Sequence, residues 1–215
     1  MKHFFTFLLI AVLCSCRQEK KYHDEQKVAV ESIQSDKLMD ILKFQQKLNA
    51  EFKDPETSPL PDRFRADFET LDFFEADTAF VIEADFIRTP EALPFSMPTT
   101  TDRISTEVLY GIAKFNLKGK VYELEVYQTP ELIAQEKYKD YLFLPFTDAT
   151  NGMETYGGGR YLDLRIPKGN KIVLDFNKAY NPYCAYNKKY SCPLVPSVNN
   201  IDSRIVAGVK DFVKK

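Results

Sequence analysis

The chain has 215 residues, 29 Lys and Arg against 31 Asp and Glu, and a net charge of −2. That length suits a single domain with a sizeable core, and the charge excludes the basic surface that a nucleic-acid partner would need. The two histidines, His3 and His23, both precede the expected folded part, which excludes a Ser-His-Asp triad, a Cys-His pair and a His-rich zinc site within it.

Lys2 and the apolar run over residues 4–14 have the length of a signal-peptide core and are too short to span a membrane. Leu13-Cys14-Ser15-Cys16 ends the run. It resembles the bacterial lipoprotein signal, in which a Leu, a variable residue and a small residue precede an acylated Cys. The resemblance implies that residues 1–15 are removed and that Cys16 carries the lipid, palmitate included. It also implies a domain held to the membrane outside the cytoplasm, in the bacterial cell envelope. An ordinary secretory signal with a chance Cys is the alternative. Residues 16–27 are polar and charged and read as a tether.

Residues 28–57 are expected to form a helical arm. Leu38, Ile41, Leu42, Leu48 and Phe52 fall on one helical stripe, and Ser35-Asp36 is a candidate cap that would split off a shorter first helix. Pro55 ends the helix, and Ser58-Pro59-Leu60-Pro61 begins a β-rich domain over residues 58–215. Residues 62–72 suggest one short helix with Phe64, Phe68 and Leu71 on one side.

From Phe80 the apolar period changes to two, through Ile82, Ala84 and Phe86. Residues 90–98 read as a loop. Residues 104–128 read as a hairpin turning at Lys118-Gly119, with Leu109, Gly111, Ala113, Phe115 and Leu117 facing one core. Residues 141–146 are a short strand. Residues 161–166 and 171–177 suggest a second hairpin, with Asp163, Asp175 and Asn177 opposite its apolar face. Ile205, Val206, Val209 and Phe212 suggest a short closing strand. The expected fold is therefore mainly β or α+β: an antiparallel β-barrel or sandwich-like core with an N-terminal helical arm.

Special residues concentrate in residues 143–194. Gly157, Gly158 and Gly159 precede Arg160, amid Asp148, Glu154, Tyr156, Asn177, Tyr180 and Asn181. Exposed backbone N–H groups beside an Arg could cradle an anion. The competing reading is a glycine bulge with Arg160 tied to Asp148 or Glu154. The acids could serve as a catalytic carboxylate pair or simply as salt-bridge partners, and no metal-ligand spacing or cofactor motif accompanies them. Tyr156, Tyr161, Tyr180, Tyr183, Tyr186 and Tyr190 could stack on a small polar ligand or form a packed rim. In an exported domain Cys184 and Cys192 are expected to form a disulfide, with a free pair as the alternative.

The chain resembles an uncharacterised bacterial and archaeal family, domain of unknown function 1684. The resemblance runs from Ser58 to Gly208. It is carried by Phe95-Ser96-Met97-Pro98, Phe146-Thr147-Asp148-Ala149-Thr150-Asn151-Gly152, Gly159-Arg160-Tyr161-Leu162-Asp163-Leu164, Asp175-Phe176-Asn177-Lys178-Ala179-Tyr180-Asn181-Pro182 and Cys192-Pro193-Leu194. It implies no particular activity. The expectation is a lipid-anchored protein that binds a small polar or anionic ligand near Arg160 without a cofactor. A carboxylate-dependent hydrolase and a structural envelope protein are the alternatives.

Overall fold

The computed structural model describes residues 20–212, with side chains placed from Val30 onward. The signal and lipidation expectations at residues 1–16 lie outside the described residues. The chain divides into two units, Met1–Asp36 and Lys37–Lys215. Helix α1, Lys20–Lys53, begins inside the expected tether and continues through Ser35-Asp36 without a break. A polar residue inside a helix costs only about 0.5 kcal/mol in propensity, so a candidate cap does not force a new start.

In the second unit, Ile41, Leu48 and Phe52 of α1 are buried, while Leu38 and Leu42 are exposed. Leu48 and Phe52 pack with Leu60, Leu71, Tyr186 and Val209 in one apolar cluster, flanked by Phe64 and Phe68. Phe64, Phe68 and Leu71 thus share a core as expected. The helix there, α2, is only Asp62–Arg65.

The strands are β1 (Val81–Arg88), β2 (Phe95–Pro98), β3 (Ile104–Leu117), β4 (Lys120–Gln128), β5 (Tyr141–Asp148), β6 (Arg160–Arg165), β7 (Lys171–Asp175) and β8 (Asn200–Ile201); the short helix α3 (Pro130–Ile133) follows β4. Their order is β6-β5-β4-β3-β1-β7, with β2 added to β3 and β8 added parallel to β5. The sheet curls into a nearly closed barrel, so the fold is α+β with an antiparallel β-barrel core. Phe86, Phe115, Leu124, Leu142, Leu144, Phe146, Leu162, Leu174 and Phe176 fill its interior. A small barrel filled this way has no internal ligand chamber.

Three expectations are corrected. Residues 95–98 are a strand, pairing Met97 with Ser105 and Pro98 with Ile104; an outer strand tolerates Pro because no further neighbour needs its N–H. Among the described ladders β6 pairs with β5 and β7 with β1, so the two do not form a hairpin. They are the two ends of the sheet, and residues 166–170 carry the chain across the remaining gap. Among the described residues the tail over residues 202–212 forms no strand beyond the isolated Phe73–Val209 bridge.

Two details place the functional surface. The first is a bulge in β3. Leu109 stands opposite Tyr127 and Gly111 opposite Val126, which leaves Tyr110 as the extra residue. One inserted residue reverses the faces of a strand. Ala113, Phe115 and Leu117 point into the barrel. Leu109 instead packs outside it with Met97, Tyr127 and Phe143, a correction to the single core expected for residues 109–117. The second detail is the splay of β4 from β5, which share the single register pair Tyr127–Phe143. Asn199 spans the gap: its Nδ2 donates to Glu125 O at 2.8 Å and Pro145 O at 2.7 Å, and its Oδ1 accepts Glu125 N–H at 2.8 Å.

Candidate functional site

Arg160 starts β6 and is fully buried. Its Nη2 donates to Asp148 Oδ2 at 2.8 Å and Ile205 O at 2.9 Å, and its Nη1 donates to Ala207 O. Asp148 also accepts from Thr150 N and Oγ1 at 2.9 and 2.7 Å, and from Ile205 N at 3.2 Å. Burial pulls the Arg160 pKa down, and the Asp148 carboxylate opposes that pull. The guanidinium therefore ties β6 to β5 and to the C-terminal tail, and no face of it is open to a ligand.

The residues around it are also engaged within the fold. Gly159 is buried with φ +89°, and its N–H closes a turn onto Tyr156 O at 3.1 Å. Gly157 and Gly158 are exposed. Glu154 pairs with Arg204 at 2.5 Å at the surface. Asn177 exchanges two hydrogen bonds of 2.9 Å with the Asp77 backbone, and Asn181 donates to Lys210 O at 2.9 Å.

Cys184 and Cys192 are both free thiols, which corrects the expected disulfide. Hydrogen bonds close their loop instead. Cys184 N–H donates to Cys192 Sγ at 3.2 Å, and Cys192 N–H donates to Thr100 Oγ1 at 3.1 Å. Ser191 Oγ bonds both Thr99 and Thr101, at 2.8 and 2.6 Å. The Tyr156 hydroxyl lies 4.0 Å from Cys184 Sγ. A hydrogen bond from the Cys192 thiol, reinforced by Thr100 and Tyr156, draws the Cys184 pKa down to about 6. The same thiol–thiol bond, followed by burial, pushes Cys192 up.

Of the ten residues expected to bind ligand, Tyr180 lines a cleft of about 390 Å³ on the outer face of the barrel. Its floor comes from β3, β5 and β6: Ser105 and Glu107, then Tyr141 and Phe143, then Tyr161. Thr129, Glu131, Leu132 and Gln135, in and around α3, form one wall; Arg103, Tyr180 and Pro193 form the other. Tyr141 and Tyr180 both donate to Asp163 Oδ1, at 2.8 and 2.5 Å, and Tyr161 donates to Pro193 O. Phe143 and Tyr161 meet edge to face at 4.8 Å, as do Tyr161 and Tyr180 at 5.9 Å. Burial and then Asp163 push the Tyr141 and Tyr180 phenols up, and burial does the same for Tyr161, so all three stay neutral at physiological pH.

Glu107 is the unusual group in this cleft. It is 1% exposed, yet no described cation forms a salt bridge with it. Ser105 Oγ donates to Oε1 at 2.7 Å and Thr129 Oγ1 to Oε2 at 2.8 Å. Burial raises its pKa; the two hydroxyls and Arg103 work against that rise. Buried carboxylates ordinarily have a cationic partner.

A second cleft of about 390 Å³ lies between Asp77, Phe80, Asn116, Lys118 and Val206. It is poorer in chemistry: Asp77 is spent on capping Ala79 N–H at 2.8 Å, and the remaining lining offers one lysine.

A family model described as a protein of unknown function, DUF1684, matches residues 66–210. The chain belongs to DUF1684. A similar solved structure is the solution NMR structure of an uncharacterised protein from Haloarcula marismortui. The two share 29% identity over 87% of this chain and 96% of that one, with a TM-score of 0.61. No curated protein matches the sequence. The DUF1684 span contains every residue that lines the tyrosine cleft and excludes α1.

Sequence reasoning on this DUF1684 chain passed over Ser105, Glu107, Thr129, Tyr141 and Phe143. One signal was available. Glu107 shares its parity with Leu109, Gly111 and Ala113, and an acid in phase with an apolar strand face marks a buried polar group.

Proposed function

We propose that this DUF1684 protein binds a small polar ligand in the tyrosine cleft outside the barrel. The observation that carries the reading is Glu107, a carboxylate buried without a salt bridge in a cleft with four aromatic rings. Aromatic walls with a few fixed polar groups are the usual composition of small-molecule sites. An aromatic-selective NMR titration of the full chain with a library of small polar compounds tests it. Binders should move the resonances of Tyr141, Phe143, Tyr161 and Tyr180. A library whose hits all map elsewhere would end the proposal.

The reading includes the anchor. The Leu13-Cys14-Ser15-Cys16 run supports acylation at Cys16, which would hold the cleft close to a membrane surface in the cell envelope. Radiolabelled palmitate should enter the wild-type chain and be absent from Cys16→Ser.

A second reading has its own support. Glu107 and Glu131 share one cleft, and Glu131 adds to the upward shift of the Glu107 carboxyl. Two carboxyls in one cleft, one of them with a raised pKa, make an arrangement that acid–base hydrolysis uses. Turnover of a glycoside or ester panel, abolished by Glu107→Gln and by Glu131→Gln, would establish it.

A further inference from the structure

We infer that the ligand of this cleft carries a protonated amine, which docks on Glu107 with its positive charge over the tyrosine rings. The inference rests on the tyrosine cleft being the binding site and specifies what that site selects.

Charge is the first argument. The cleft holds one cation, Arg103, and two carboxylates, Glu107 and Glu131. Arg103 is turned to the cleft wall: its Nε and Nη2 donate to Ser191 Oγ and O at 3.1 and 3.0 Å. Glu107 sits deep, bonded to neutral hydroxyls alone. A cleft of negative balance favours cations and disfavours anions.

The rings are the second argument. Tyr141 and Tyr180 both donate to Asp163 Oδ1, which fixes their orientation and polarises electron density toward the rings. Aromatic rings attract cations, and here four of them line one cleft with a carboxylate, a composition that suits an ammonium group. An anionic ligand would meet Glu107, Glu131 and electron-rich rings together. A neutral ligand would leave Glu107 buried without an ion-pair partner. An ammonium group supplies a positive charge and hydrogen-bond donors to an acceptor-only group.

The test uses three probes on one frame, titrated against the full chain and followed at the tyrosine resonances: benzylamine, benzyl alcohol and benzoate. Benzylamine should bind about tenfold or more tightly than benzyl alcohol, and benzoate weakest. Glu107→Gln should remove the advantage of benzylamine over benzyl alcohol. Glu131→Gln, at the exposed rim, should weaken benzylamine by roughly two- to threefold and serves if the Glu107 variant does not fold. Benzyl alcohol or benzoate binding at the same rings as tightly as benzylamine overturns the amine inference and leaves the cleft as a binding site. No response at the rings to any of the three overturns both.

Discussion

At the scale of single residues, burial decides what each charged group can do. Arg160 and Glu107 are both buried, yet their circumstances are opposite. Arg160 has a carboxylate and backbone carbonyls around it, so its charge is spent on holding the fold together. Glu107 has hydrogen bonds from hydroxyls and no salt bridge. This difference has a pH signature. Because the folded-state pKa of Glu107 lies above the ordinary 4.5, the folded chain binds the extra proton, and ionisation destabilises it as pH rises through that interval. Relative to Glu107→Gln, wild type should therefore lose stability as pH rises above 4.5 in urea melts. Arg103, Glu131, Tyr127 and Tyr141 surround the group, and in this range its own ionisation dominates the difference. A stability gap that stays constant with pH would refute the assignment.

The thiols make a second residue-scale case. With its pKa drawn down to about 6, Cys184 should react with iodoacetamide far faster than Cys192, with a rate that levels off above neutral pH. An onset near pH 8.5, or equal labelling of both thiols, would contradict the hydrogen-bonded pair. Backbone strain gives a third. Gly119 and Gly159 both have positive φ, +84° and +89°. A Cβ at Gly119 meets open space, whereas one at Gly159 would lie 2.6 Å from Phe146 O. Gly119→Ala should cost about 1 kcal/mol and Gly159→Ala about 3 kcal/mol, read from denaturant midpoints.

At the scale of elements, irregularities in the strands build the site. The bulge at Tyr110 turns Glu107 outward, where an unbroken β3 would have sent it into the apolar interior. Arg88 holds the bulge: its guanidinium lies 3.5 Å from the centre of the Tyr110 ring, and its Nε donates to Tyr110 O at 3.1 Å. The splay between β4 and β5 is bridged by Asn199, which satisfies three buried backbone groups at once. Asn199→Ala should therefore cost about 3 kcal/mol or more, well above the usual single hydrogen bond, because all three groups lose their partner together. A loss near 1 kcal/mol would mean that the strands can close on each other without it.

Strand periodicity was legible because the interior is apolar and continuous. Ala84, Phe86, Ala113, Phe115, Leu162, Leu164, Ile172 and Leu174 all face it as the alternation requires. The bulge was not legible, since Leu109 and Gly111 keep the same parity on either side of it. Nor were the pairings of β6 and β7. A turn-like segment at residues 166–170 looks the same whether it joins two paired strands or crosses from one sheet edge to the other.

At the scale of the whole molecule, the C-terminal tail completes the core although it is not a strand. The carbonyls of Ile205 and Ala207 accept from Arg160, Val209 N–H donates to Ala179 O at 2.9 Å, and Lys210 N–H donates to Asp72 O at 2.8 Å. A chain ending at Ser203 would leave the guanidinium with Asp148 alone and expose Leu48, Phe52 and Tyr186 where Val209 now covers them. That truncation should abolish cooperative unfolding in calorimetry. A chain ending at Phe212 keeps these contacts and should melt like wild type.

The amino-acid sequence alone determined the fold class, the family and the apolar faces of the barrel strands. Each of these depends on composition or on short-range period, which neighbouring residues set. It also marked Tyr180 and Arg160 as special. The tertiary structure alone separated their roles, because burial and partners depend on residues far away in the chain: Arg160 meets the tail 45 positions on, and Glu107 meets Thr129 across 22. It likewise brought Tyr141, Tyr161 and Tyr180 into one cleft with the buried Glu107, through a bulge that the side-chain pattern cannot record.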